Sequence, residues 1–220
     1  MPHIIEPFTK ATFEDALQRL RNAHRFLVSR AKAAIIATNF DDSCWGSSVK
    51  RSPVMLNEGD VPELIGKTEE KLGEVINIAA TVERLIDAIE WFKAQPQNEG
   101  YSILECHPST SDEIDGNDLV IIDRDCRIVI RCEVCDVASS NAGSNKKEKK
   151  DIQKLGCNEL VPQDGITRYI CTAPEFAGAL TKPNRKWKSK PYRYQRIDTR
   201  SSSNTSMLLI RSADDNESGE

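Results

Sequence analysis

The stretch RCEVCDV, residues 131–137, admits two incompatible readings. Cys132 and Cys135 have the CxxC spacing of a metal or redox site. Glu133 and Cys135 instead stand two apart, the spacing of neighbours on one face of a strand. The choice turns on whether the stretch is a turn or a strand. On a strand successive side chains point to opposite faces, so Arg131, Glu133, Cys135 and Val137 share one face and Cys132 and Val134 the other. The surrounding run RIVIRCEVCDV (127–137) is rich in β-branched residues, and the short link RDCR joins it to DLVIID (118–123) as a hairpin. A strand therefore splits the CxxC pair. A zinc knuckle would also need a second pair of ligands at similar spacing, and the chain has no second CxxC and no HxxxH.

The hairpin supplies a third residue. With Asp125 and Cys126 at the centre of the turn, Ile122 faces Val129, Val120 faces Arg131 and Asp118 faces Glu133. Like charges directly opposite one another destabilise a sheet, and a divalent cation with oxygen ligands is the common compensation. Arg131 on the same face, or simple solvation of both acids at a sheet edge, are the alternatives.

Outward from the hairpin the pattern alternates between helix and strand. Thr12, with Asp15 three residues on, caps a helix that runs toward Ala37 through Phe13, Leu17, Leu20, Phe26 and Leu27. Residues 39–59 read as a long loop. A second helix is expected over about 69–95, with Val75, Ile78, Val82, Leu85, Ile89 and Phe92 as its apolar stripe and Pro96 beyond its end. YSILECH (101–107) is a strand, KKEKKDIQKLG a short charged helix stopped by Gly156, ITRYICT (166–172) a further strand and SMLLIRS a last one. This order predicts an α/β (α+β) mixed central sheet flanked by helices. The division expected is an N-terminal helix and loop extension over 1–68, a core over 69–212 and a disordered acidic tail over 213–220.

Composition sets limits on function. Thirty basic against 34 acidic side chains give a formal net charge of −4, so a nucleic-acid ligand would have to meet a local patch rather than a global positive field. Seven scattered cysteines, an odd number in 220 residues, suit a reduced cytoplasmic setting. No signal-peptide h-region opens the chain, and no run approaches the roughly 18 apolar residues of a membrane span.

The segment GNDLVIIDRDCRIVIRCEVCDVASSNAGSNKKEKKDIQKLG resembles the catalytic core of the PD-(D/E)XK nuclease superfamily, with its restriction-endonuclease-like fold. In that family a helix precedes a three-stranded antiparallel meander, an aspartate opens the second strand, an (Asp/Glu)-x-Lys motif ends the third, and a helix leads to a fourth strand. The resemblance covers about residues 70–180. It implies Asp118 and Glu133 as ligands of Mg²⁺, with Mn²⁺ as a substitute, the carbonyl of Val134 as a further ligand and Glu83 as an acid from the first helix. Glu90 and Glu105 are further acids in reach of such a site. The departure from the motif is Cys135, because a thiol supplies no positive charge. Some members deliver the lysine from the following helix, where Lys146, Lys147, Lys149 and Lys150 stand, Lys146 and Lys149 being the two favoured here. A thiol enzyme with Cys135 as nucleophile and His107 as base is a further alternative.

The implied activity is Mg²⁺-dependent hydrolysis of DNA phosphodiesters by a restriction or defence endonuclease. The alternative is a degenerate relative that binds nucleic acid or a partner protein without cutting. Between Thr181 and Arg196 the chain carries Lys182, Arg185, Lys186, Trp187, Lys188, Lys190 and Arg193 with no acid, a pattern suited to contacting phosphates and stacking on bases of DNA or, less well, RNA. Ser139, Ser140 and Asn141 offer hydrogen bonds to a backbone phosphate. The N-terminal extension is available for recognition or for a homodimer.

Overall fold

A computed structural model of the chain describes residues 5–37, 49–56, 69–108, 116–135, 142–157, 161–181, 191–197 and 205–213, with the backbone alone at 142–146. Its elements are β1 (Phe8–Ala11), α1 (Phe13–Ala37), β2 (Pro53–Met55), β3 (Glu69–Lys71), α2 (Leu72–Lys93), β4 (Ser102–Cys106), β5 (Leu119–Ile122), β6 (Ile128–Cys135), α3 (Ala142–Lys154), β7 (Thr167–Thr172), α4 (Pro174–Leu180), β8 (Tyr192–Ile197) and β9 (Ser206–Ser212). Seven strands form one mixed sheet in the order β1-β4-β5-β6-β7-β9-β8. Every neighbouring pair is antiparallel except β6 and β7, which α3 connects as parallel strands.

The sheet is covered on both faces. On one, α1 and α2 bury Leu17, Leu20, Leu27, Val82, Leu85, Ile89 and Phe92 against Ile103, Leu119, Ile121, Ile130, Cys132 and Val134. On the other, α3 and α4 bury Ile152, Leu155 and Phe176 against Cys135, Ile170, Leu208 and Ile210. Burial from both sides explains why β5 reads LVII, with all four residues buried. Cys132 and Cys135 thus fall in different cores, the separation that strand alternation requires.

Local chemistry fixes the helix ends. Thr12 Oγ1 accepts the Asp15 N–H at 3.1 Å and donates to Asp15 Oδ2 at 2.8 Å, so α1 begins at the predicted cap. At the end of α3 the Gly156 N–H donates to Gln153 O and the Cys157 N–H to Ile152 O, with Gly156 at φ +75°, a Schellman stop. Tyr194 on β8 donates to the buried Glu148 of α3 at 2.9 Å, tying that helix down over the sheet.

Several expectations are corrected. Residues 69–71 open the second helical stretch as a strand, and Pro53–Met55, expected in a loop, pairs with them. Burial of Val54 and Leu56 in the helix-side core holds that ribbon in place. Two strands escape the periodicity reading. β1 has its two ends buried and its middle exposed, with Lys10 at φ +54°, so its sequence shows no alternation. β8 reads as a basic patch because it is an edge strand and carries charge as edges do. The N-terminal segment is no appendage, since β1 pairs with β4 and α1 belongs to the main core.

The hairpin turn also differs from the two-residue form. Asp123 and Arg127 close a three-residue loop, with Cys126 at φ +61° and the Asp123 carboxylate accepting the N–H groups of Asp125 and Arg127. Ile122 consequently pairs with Ile128 rather than Val129. A bulge at the next step restores Ile121↔Ile130 and Val120↔Arg131, the register expected.

Among the described residues no helix is long and apolar enough to cross a membrane. Phe92 is fully enclosed and meets Trp91 and Tyr169 edge to face with centroids 5.1 Å away, which locks α2 to β7. Phe92→Ala should therefore lower the unfolding free energy by about 3–5 kcal/mol, read as an earlier urea midpoint at an unchanged slope.

Candidate functional site

The β5–β6 register carries Asp118, immediately before β5, to the level of Glu133, and the two acids are laced together by each other's backbone. Asp118 N–H donates to Glu133 Oε1 at 3.3 Å, and Val134 N–H donates to Asp118 Oδ2 at 2.7 Å. Glu133 has no solvent exposure. Its Oε1 also accepts from Asn117 Nδ2 at 2.8 Å, and its Oε2 faces Lys154 Nζ at 3.3 Å. The His107 N–H donates to the Asp118 carbonyl at 2.9 Å and anchors that corner to the end of β4.

Above the acids, Lys147, Asp151 and Lys154 occupy positions i, i+4 and i+7 of α3, a single stripe of the helix. Asp151 is 3% exposed, and its Oδ2 has no hydrogen-bond partner among the described residues. Burial pushes Glu133 well above the usual carboxylate range, and Asp118 adds to it, while Lys154 and Asn117 oppose. Burial raises Asp118 as well, against Lys154, the Val134 N–H, Lys147 and His107. Desolvation alone would depress Lys154, but Asp118 and Glu133 outweigh it and hold the ammonium charged.

The structure distributes the expected site residues unevenly. Asp118, Glu133 and the Val134 backbone come together, with Val134 contributing an N–H to Asp118. Cys135 is buried among Ile152, Leu155 and Phe176, and burial, reinforced by Asp151, pushes its thiol far up. A thiol so placed is inert. Lys149 is exposed, two residues and about 200° around the helix from Lys147. Lys146 lies in α3, but its side chain is outside the described part. Glu83 is exposed on α2, which covers the face opposite to that of Glu133. Glu90 pairs with Arg21 on α1, and Glu105 lies 3.6 Å from His107 Nε2. Arg193 sits on edge strand β8. Ser139, Ser140, Asn141, Lys182, Arg185, Lys186, Trp187, Lys188 and Lys190 lie outside the described residues.

Sequence reading missed Asn117, Asp151 and Lys154. The seven-residue spacing of Lys147 and Lys154 around Asp151 was the available signal, hidden in a run where nearly every residue is charged.

The donor set suits a hard cation. Asp118, Glu133 and Asp151 are carboxylates, and Asp151 Oδ2 is a buried oxygen without a partner. Among the described residues no three side chains converge as a ready-made metal cage. Mg²⁺ commonly takes only one or two protein carboxylates and completes its shell with water and substrate phosphate, so the pair fits.

No protein-family model, curated protein or solved structure matches the chain.

Burial, partly opposed by Lys147 and helped by Asp118, raises the Asp151 carboxyl to about 6. The native chain then binds a proton there that the unfolded chain releases near pH ~4. Between those values the native state holds more protons, so stability falls as pH rises and stays lower above about pH 6. In chelator-treated buffer, Asp151→Asn should have a higher unfolding free energy in urea than the wild type above about pH 7, by on the order of 2 kcal/mol, and lose this advantage near pH ~4. A parallel pH dependence in the two proteins would contradict the assignment.

Proposed function

We propose that the chain is a metal-dependent nuclease of the PD-(D/E)XK kind, an endonuclease hydrolysing DNA phosphodiesters in restriction or defence. The observation that carries the reading is the pair Asp118 and Glu133, laced at the ends of β5 and β6 with the Lys154 ammonium set on Glu133. The order of elements supports it: helix α2, antiparallel β4, β5 and β6, helix α3, then β7 parallel to β6. Asp118 and Glu133 would hold Mg²⁺ or Mn²⁺. When bound, the metal supplies an acidified water and neutralises phosphate oxygens.

In this reading Lys154 takes over what Cys135 cannot do. Its ammonium, kept charged by the two acids, meets negative charge developing on the phosphate. Asn117 orients Glu133, and the Val134 N–H orients Asp118, so both carboxylates enter the reaction already positioned. Lys147 adds a second cation over Asp118.

One observation favours a second reading. Both oxygens of Glu133 are already bonded within the protein, which is how a binding protein with a retired site would look. Such a protein would bind DNA in a salt-sensitive way and cut under no divalent ion.

Cleavage of plasmid and genomic DNA with Mg²⁺ or Mn²⁺ separates the two. For the nuclease, Asp118→Ala and Glu133→Gln should abolish cutting while the chain stays folded. Lys154→Met should slow it by about 10²-fold or more, while Cys135→Ser stays within a few-fold of wild type. Retained cutting by Asp118→Ala would refute the assignment.

A further inference from the structure

Arg131 stands two residues before Glu133 on β6 and on the same face of the sheet. Its partners in register are Val120 on β5 and Arg168 on β7. Two cations side by side across a ladder destabilise it. Arg168 is compensated: its guanidinium donates to both oxygens of Asp164, at 3.0 and 2.6 Å, and to the carbonyls of Leu155 and Ile166 at 2.7 Å each. Among the described residues Arg131 has no such compensation: it is half-buried, its Nε is enclosed without a hydrogen-bond partner, and the ion pair at Glu133 is made by Lys154. Beside it on β5, Val120 and Ile122 are buried, and Glu105 of β4 lies one strand further along the same row. A partly desolvated guanidinium next to a second cation is costly unless an anion completes it.

The geometry points to a nucleic-acid phosphate as that anion: Arg131 binds the phosphate adjacent to the one held at Asp118 and Glu133. This rests on the nuclease reading, or equally on its non-cutting form. Two residues along a strand advance about 6.6 Å, comparable with the separation of successive phosphates in one nucleic-acid strand. A backbone laid along β6 therefore presents one phosphate to the acids and the next to Arg131. The planar guanidinium suits two phosphate oxygens at once, which a lysine ammonium does not. The contact carries no base information, so it sets the register of the bound strand rather than its sequence.

A fluorescein-labelled DNA duplex titrated with the full chain over a series of NaCl concentrations, with Ca²⁺ replacing Mg²⁺, tests this. Arg131→Met should weaken binding about tenfold at low salt and reduce the slope of log affinity against log salt by about one. The loss should be equal on a second duplex of unrelated sequence. Arg131→Lys should keep the slope while binding less tightly than wild type. Because an uncompensated cation is removed, Arg131→Met should melt at or above the wild-type temperature. A wild-type slope in Arg131→Met, or a fall in its melting temperature, would overturn the inference and leave the proposed function standing. Failure of the wild type to bind duplex or single strand would overturn both.

Discussion

Two carboxylates side by side, Glu133 fully buried and Asp118 half-buried, repel each other, and the protein answers with two backbone N–H groups. Asp118 donates to Glu133 and Val134 donates to Asp118, so each acid is fixed by the chain that carries the other. Both donors belong to the β5–β6 ladder, and a slip of one residue would turn Glu133 into the apolar core and bring Cys132 out in its place. The rest of the fold protects that register. The three-residue turn and the bulge at Val129 have offsetting effects on it, the helix-side core pins alternate residues of both strands, and the parallel pairing of β7 closes the far side.

Much of this was legible because strand alternation is a rigid rule. Once 127–137 is read as a strand, the separation of Cys132 from Cys135 and the level of Asp118 with Glu133 follow, even though the turn geometry was misjudged. What stayed hidden lacked periodicity. β1 has an exposed middle between buried ends, and the β2–β3 ribbon is held by a few side chains packed under helices distant in sequence. On α3 the relevant charges are distinguished from their neighbours only by helical phase, and phase is invisible until the position of the helix over the sheet is known. A run with four lysines in five positions offers no basis for choosing Lys154.

In the proposed nuclease reading, the position of α3 bears on why a thiol stands at 135 where the motif has lysine. Ile152 and Leu155 close over the end of β6, and Cys135 faces into the same cluster as these residues. A lysine at 135 would lose its solvent in that cluster, where the carboxyl of Asp151 stands beside it. From Lys154, one turn beyond Asp151, a cation reaches Glu133 with its stem along the helix and its head at the edge of the core.

The charge balance around that cation bears on what the site accepts. With all three acids ionised, Asp118, Glu133 and Asp151 outnumber Lys147 and Lys154 by one negative charge, and burial works against that state by raising all three carboxyls. Such a cluster resists an anion approaching alone. In the proposed nuclease reading a divalent cation among the carboxylates would change the sign of that balance and make a phosphate the favoured occupant, with Arg131 two residues back along β6 to receive the next. On that reading cation and nucleic acid would bind cooperatively, each supplying the charge that makes the other's place stable.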